Sequence, residues 1–122
     1  MLAFLPGSVM AHHSFLASFE GAKTITLEGV VTKVEWANPH MYFYLSVRNE
    51  EGKAVSWICE AAGPYLLTRY GWARDLLKAG DRVTVIGHPA RGGAPVASAG
   101  EVVLPDGRRL PGGAGDDGGL QP

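Results

Sequence analysis

Apolar and polar residues alternate along most of this chain, the period of half-buried strands rather than helices. The first such run is "TITLEGVVTKVEW", Thr24 to Trp36. Ile25 and Leu27 share one face; after Gly29 the apolar phase moves to Val30, Val34 and Trp36, with Val31 opposite. A period-2 pattern that slips by one residue predicts a bulge or sharp bend, placed here at Gly29. "ANPH", Ala37 to His40, closes the strand with an Asn-Pro turn. "MYFYLSV" then alternates cleanly, with Met41, Phe43, Leu45 and Val47 on one face and Tyr42, Tyr44 and Ser46 on the other. The polar "NEEGK", Asn49 to Lys53, is a hairpin turn. It leads into "AVSWICE", where Val55, Trp57 and Cys59 share a face.

The alternation breaks at "GPYLLTRYG", Gly63 to Gly71. Pro64 stands where a helix tolerates it, in the first turn, and Gly71 where a helix ends. The spacing predicts two turns that present Tyr65, Leu66 and Tyr70 to the core. A further helical turn is expected over Arg74 to Leu77, stopped by Ala79-Gly80. Strand alternation returns in Asp81 to Pro89 with Val83 and Val85 inward, and after the loop "ARGGAP" in Val96 to Leu104. A Pro-Asp-Gly turn and one more short extended piece follow. The class is all-β with one short helix, in the order β-β-β-α-β-β. That is the order of the OB-fold, a five-stranded, partly open Greek-key barrel; an SH3-like barrel would not place its helix between strands three and four.

The chain divides accordingly. Residues 1–11, "MLAFLPGSVMA", are apolar and uncharged, with Val9 and Ala11 in the small-residue spacing of a signal-peptide cleavage site, though without a basic start. They read as the remnant of a secretory signal, which places the mature protein in the bacterial periplasm. Residues 12–24 form an extended lead, 25–110 the barrel, and 111–122 a Gly-rich tail. From Pro111 onward only Leu120 is large and apolar, too little to offset ordering entropy, so the tail is expected to be disordered.

Four stretches together resemble a family of small secreted bacterial proteins of unknown function: "AHHSF" from Ala11, "GVVTKVEWANPH" from Gly29, "GWARDLLKAGDRVTVIGHPA" from Gly71 and "VLPDGRRL" from Val103. The resemblance spans His12 to Leu110. It implies export and a small β-barrel, and it supplies no catalytic residues.

Composition removes several function classes. At 122 residues the chain is one domain. A net charge of −1 argues against a phosphate backbone as partner. No apolar stretch approaches the ~20 residues of a membrane span. Cys59 is the single cysteine, so no intrachain disulfide forms, and it reads as a small buried hydrophobe.

The candidate chemistry lies in four histidines, His12, His13, His40 and His88. In an OB-fold the loop between strands one and two and the loop between strands four and five border the ligand-binding face. His40 closes the first loop and His88 enters the second. The lead, at ~3.3 Å per extended residue, is long enough to bring the N-terminal pair to the same rim. Cleavage after Ala11 makes His12 the first residue, whose α-amine and ring nitrogen chelate one ion together. Nitrogen donors of this kind suit copper, with zinc or nickel as lesser alternatives. The metal reading therefore names His12, His40 and His88 as ligands and His13 as an alternate. Without Cys-x-x-Cys or His-Glu-x-x-His, a closed zinc site is not expected. The competing reading is a binding module for an oligosaccharide or periplasmic partner protein, using Trp36, Tyr42, Tyr44 and Trp57 as stacking surfaces. Glu35 and Glu60 are the only strand acids near the rim, and no spacing pairs them for acid–base work. An enzyme is not the expectation.

Overall fold

A computed structural model describes residues 17–115. Strands β1 (Ile25–Glu35), β2 (Tyr42–Arg48) and β3 (Ala54–Glu60) form a meander, followed by helix α1 (Pro64–Arg69). Strands β4 (Arg82–Pro89), β5 (Val96–Val103) and β6 (Arg109–Pro111) complete one sheet. Every pairing is antiparallel except β3 with β5, where Ile58, Cys59 and Glu60 lie opposite Val96, Ala97 and Ser98. That parallel seam joins the sheet's two ends into a five-stranded barrel, with β6 added beside the second half of β5. The OB-like architecture expected from the element order is the one observed.

β1 must serve both halves of the barrel. Ile25 to Val30 pair with β4 and Val30 to Glu35 with β2, so the strand has to coil. The phase slip is real but sits later than the sequence reading placed it. Leu27, Gly29 and Val31 all point inward, and the extra residue is Thr32, between Val31 and Lys33. Val31 is therefore core and Val30 faces outward, the reverse of the expectation. Gly29 marks a different feature, a close approach: a Cβ there would run into the Ser46 carbonyl of the neighbouring strand.

The barrel interior is packed large against small. Phe43 on β2 faces Cys59 on β3, which faces Ala97 on β5, and all three are fully buried. Met41, Leu45, Leu67, Val85 and Val102 fill the rest. α1 begins as predicted, with Gly63 at the N-cap and Pro64 in the first turn, and ends before Gly71 at φ 100°. Its inward residues are Leu66 and Leu67, however, and Tyr65 is 70% exposed. A helix this short shows the core only one narrow face, and the adjacent leucines take it. Arg74–Leu77 is a turn and not a helix. A single Leu76 N–H to Ala73 carbonyl bond forms there, and the chain then turns so that Gly80 can donate to Val31 at 2.7 Å.

The beginning of the Gly-rich tail is held. Gly112 donates to Gly100 and accepts from Ala62, both at 2.8 Å, and Gly112 and Gly113 are buried. Backbone hydrogen bonds and close glycine contact, rather than apolar side chains, fix this part of the expected disordered stretch. The lead is likewise not extended throughout: Ala17 and Ser18 have helical backbone and Gly21-Ala22 is a turn. Phe19 bridges to Ala90, and its ring is buried at 3% exposure outside the main core cluster.

Gly29→Ala tests the close passage inside β1. The added methyl must displace the β2 backbone, so overpacking should destabilise the fold by about 1–3 kcal/mol. Urea denaturation of the two proteins reads this as a lower midpoint at unchanged slope.

Candidate functional site

Barrel closure lines up one cross-strand row. Glu35 pairs with Tyr42, Tyr42 with Glu60, Glu60 with Ser98, and Ser98 with His88, in the strand sequence β1, β2, β3, β5, β4. Directly opposed residues project to the same face, here the outer one, because their neighbours Phe43, Cys59 and Ala97 point into the core. Each step is about 4.8 Å. His40, just before β2, joins the row from the β1–β2 loop. Its loop is pressed onto the start of α1: Met41 donates to Ala62 at 3.0 Å, and a Cβ on Gly63 would sit 2.7 Å from the Pro39 carbonyl oxygen.

Two tyrosines and two glutamates are tied together along this face. The Tyr42 hydroxyl donates to Glu60 Oε1 at 3.0 Å, and the Tyr44 hydroxyl donates to Glu35 Oε1 at 3.0 Å. Lys33 Nζ lies 3.2 Å from the other oxygen of Glu35 and 5.5 Å from the centre of the Tyr44 ring. Lys33, and then the Tyr44 hydroxyl, hold the Glu35 carboxyl below its ordinary value. Burial first, then the Glu60 charge, push the Tyr42 phenol up; for Tyr44 the hydrogen bond to Glu35 is the main cause of the rise.

Both described histidines have Nδ1 against a backbone carbonyl. His40 Nδ1 is 3.3 Å from the Ala61 oxygen and 4.0 Å from Glu60 Oε2. His88 Nδ1 is 2.5 Å from the Lys23 oxygen. A carbonyl oxygen can only accept, so each Nδ1 carries the proton and the lone pair of a neutral ring lies on Nε2. The His88 contact also pins the lead. With Glu20 donating to Pro89 at 2.9 Å and Arg91 to Ser18 at 3.0 Å, it seats residues 18–23 along the end of β4 and the start of the β4–β5 loop.

The predicted site residues therefore separate. His40 and His88 belong to the same end of the barrel, with Glu60 and Ser98 between them in the row, so they are not side by side. Among the described residues, no three His, Cys, Asp or Glu side chains stand close enough to hold a metal ion. His12 and His13 lie outside the described residues. Tyr42 and Tyr44 share the outer face, whereas Trp57 sits on the inward register opposite Leu45, and Trp36 also packs partly against the core. The four aromatics do not form one platform. Cys59 is a buried core residue, as expected.

Sequence reasoning placed Glu60 near the rim without a partner, and it missed Ser98. The hairpin turn carried the signal for the first: pairing Arg48 with Ala54 puts Tyr42 opposite Glu60. Ser98 had no such signal. It is fully buried, and among the described residues its hydroxyl has no hydrogen-bond partner.

Comparison with known proteins adds a family and a fold. The profile of a family of unknown function, DUF6152, matches residues 1–98. Among solved structures, the crystal structure of the ZRD-deleted mutant of TiaS in complex with agmatine is similar over 70% of this chain, with TM-score 0.51 and 21% identity. This chain spans 22% of that one, and a likeness at such identity shows the fold alone. No curated protein matches.

Burial raises the Cys59 thiol to about 12. A thiol reagent at pH 8 should therefore leave the native protein unlabelled and label it fully in denaturant. The unfolded thiol ionises near 9 while the folded one keeps its proton. The Cys59 contribution to stability is therefore complete below pH 9 and lost as pH rises toward 12. Comparing denaturation of the parent and Cys59→Ala at pH 8 and pH 10.5 isolates that loss.

Proposed function

The chain thus belongs to that family of unknown function, DUF6152, and we propose that it is an exported OB-like binding module for a transition-metal ion, Cu(II) before Zn(II) or Ni(II). The ligands in this reading are the α-amine and ring of His12 at a processed N-terminus, with His40 or His88 through Nε2 completing the site and His13 as the alternate; Glu60 and Ser98 stand between the two barrel histidines, so one ion takes one of them. One observation carries it: both barrel histidines on this rim have Nδ1 anchored to a main-chain carbonyl. Metal-ligating histidines are oriented in this way, with one ring N–H spent on a fixed acceptor and the other nitrogen presented to the ion. The seating of the lead supports it further. Ser18 and Glu20 already lie along Pro89 to Arg91, so His12 is only a few residues of ~3.3 Å each from the rim. The barrel holds too few donors by itself, and the lead supplies the rest. The apolar leader with its Val9/Ala11 spacing supports export.

A second reading has its own observation. Tyr42 and Tyr44 project side by side from β2 and would stack on an oligosaccharide or a partner protein. Binding of that kind survives chelator and is lost in Tyr44→Ala.

Metal-free protein beginning at His12 should take up one equivalent of Cu(II) in a calorimetric titration. Either His40→Ala or His88→Ala should weaken binding at least tenfold, as should an extra residue ahead of His12. Identical isotherms for all four proteins would remove the metal reading.

A further inference from the structure

We propose that Glu60 and Tyr42 form a receptor for a primary alkylammonium group, the end of a free alkylamine or of a lysine side chain. The inference requires no metal ion and goes beyond both readings above.

The chain already holds one ammonium in this way. Lys33 Nζ lies 3.2 Å from Glu35 Oε2 and 5.5 Å from the centre of the Tyr44 ring, while the Tyr44 hydroxyl holds Glu35 Oε1 at 3.0 Å. One carboxylate oxygen faces the cation, and the ring adds its negative face. Tyr42 and Glu60 repeat the pair, with the Tyr42 hydroxyl on Glu60 Oε1 at 3.0 Å. Among the described residues, no lysine or arginine completes this second unit.

The other oxygen of Glu60 is the one left over. It faces His40 Nδ1 at 4.0 Å, beyond hydrogen-bond length, and that nitrogen turns its proton to the Ala61 carbonyl at 3.3 Å. Glu60 is mostly buried, its side chain 23% exposed, and a carboxylate drawn this far from water is costly while its charge is uncompensated. Ser98 closes one flank: it stands opposite Glu60 across the parallel seam and is fully buried. On the other flank His40, 40% exposed, stands edge-on to Tyr42 with ring centroids 6.3 Å apart and planes at 69°. The two rings make a corner beside Glu60 Oε2, and a ligand enters on this side.

The same geometry selects among cations. With Oε1 taken by the phenol, Glu60 cannot offer a guanidinium two parallel bonds, the arrangement that makes arginine pairs strong. An ammonium is a compact charge that needs only one oxygen. A quaternary ammonium has no N–H to give Oε2. A primary alkylammonium therefore fits best, with its carbon chain leading out to solvent.

The test is titration of the full chain, labelled with nitrogen-15, by n-butylammonium at pH 7.5, followed through backbone amide shifts. Saturable shifts should centre on Tyr42 and Glu60 in the millimolar range, and n-butylguanidinium should bind the parent more weakly. That preference is read on the parent alone and needs no variant to fold. Glu60→Gln should weaken amine binding about tenfold or more, since a charge-assisted hydrogen bond is lost. Tyr42→Phe keeps the ring and frees Oε1, so it should bind the guanidinium more tightly than the parent does. Tyr44→Phe, the same change in the occupied unit, should bind the amine as the parent does. Nα-acetyl-lysine amide distinguishes the sources: tighter binding than butylammonium identifies a lysine side chain, equal or weaker binding a free amine, and both support the site. No saturable shift in the parent, a parent preference for guanidinium, equal amine binding by Glu60→Gln, or the same shifts with n-butanol overturns the proposal. None of these outcomes bears on Cu(II) binding.

Discussion

The short parallel seam between β3 and β5 is the constraint on which the rest of the molecule depends. Three residue pairs, Ile58 with Val96, Cys59 with Ala97 and Glu60 with Ser98, convert an open sheet into a barrel. Without them Glu60 on β3 would stand at one margin of a ribbon, with β2 and β1 between it and His88 on β4. With them, one row of outward side chains runs from Glu35 to His88. The interior must let the seam form: Cys59, Ala97 and Ala99 are small and fully buried, which leaves room for Phe43. The glycine at position 87 belongs to the same requirement, since a Cβ there would collide with the Ser98 carbonyl.

The outer layer at this end of the barrel is built from backbone more than from side chains. Residues 18–23 are tied to β4 and the loop after it, and residues 112–114 to Ala62, Ala99 and Gly100. Only Phe19 contributes a large buried ring. Such attachments are cheap to form and to break, because each intramolecular hydrogen bond gains little over its hydrogen bonds to water. Residues 18–23 therefore sit beside the rim without being part of the main core cluster.

Local signals made the fold readable. Alternation located all five barrel strands, Pro64 and Gly71 bracketed the helix, and the NEEGK turn set the β2–β3 register. The Tyr42–Glu60 contact was within reach of that register, whereas Tyr44 with Glu35 depends on the extra residue Thr32, which no periodicity argument assigns to one position. Tyr65 and the Arg74–Leu77 turn were misread because helical spacing identifies a candidate face but does not say which of two neighbouring residues the core will take. The placement of Ser98 follows from the parallel seam, a long-range pairing with no local mark in the chain. Histidine positions could be read relative to loops, and their separation by Glu60 and Ser98 could not.

The metal reading requires that this rim present His40 Nε2 to the ion. Anomalous scattering at the copper edge, from crystals of Cu(II)-loaded protein beginning at His12, locates such an ion directly. One strong peak is expected about 2 Å from His40 Nε2. A peak elsewhere on the barrel, or His40 Nε2 facing solvent in a crystal whose copper sits with other residues, would contradict it.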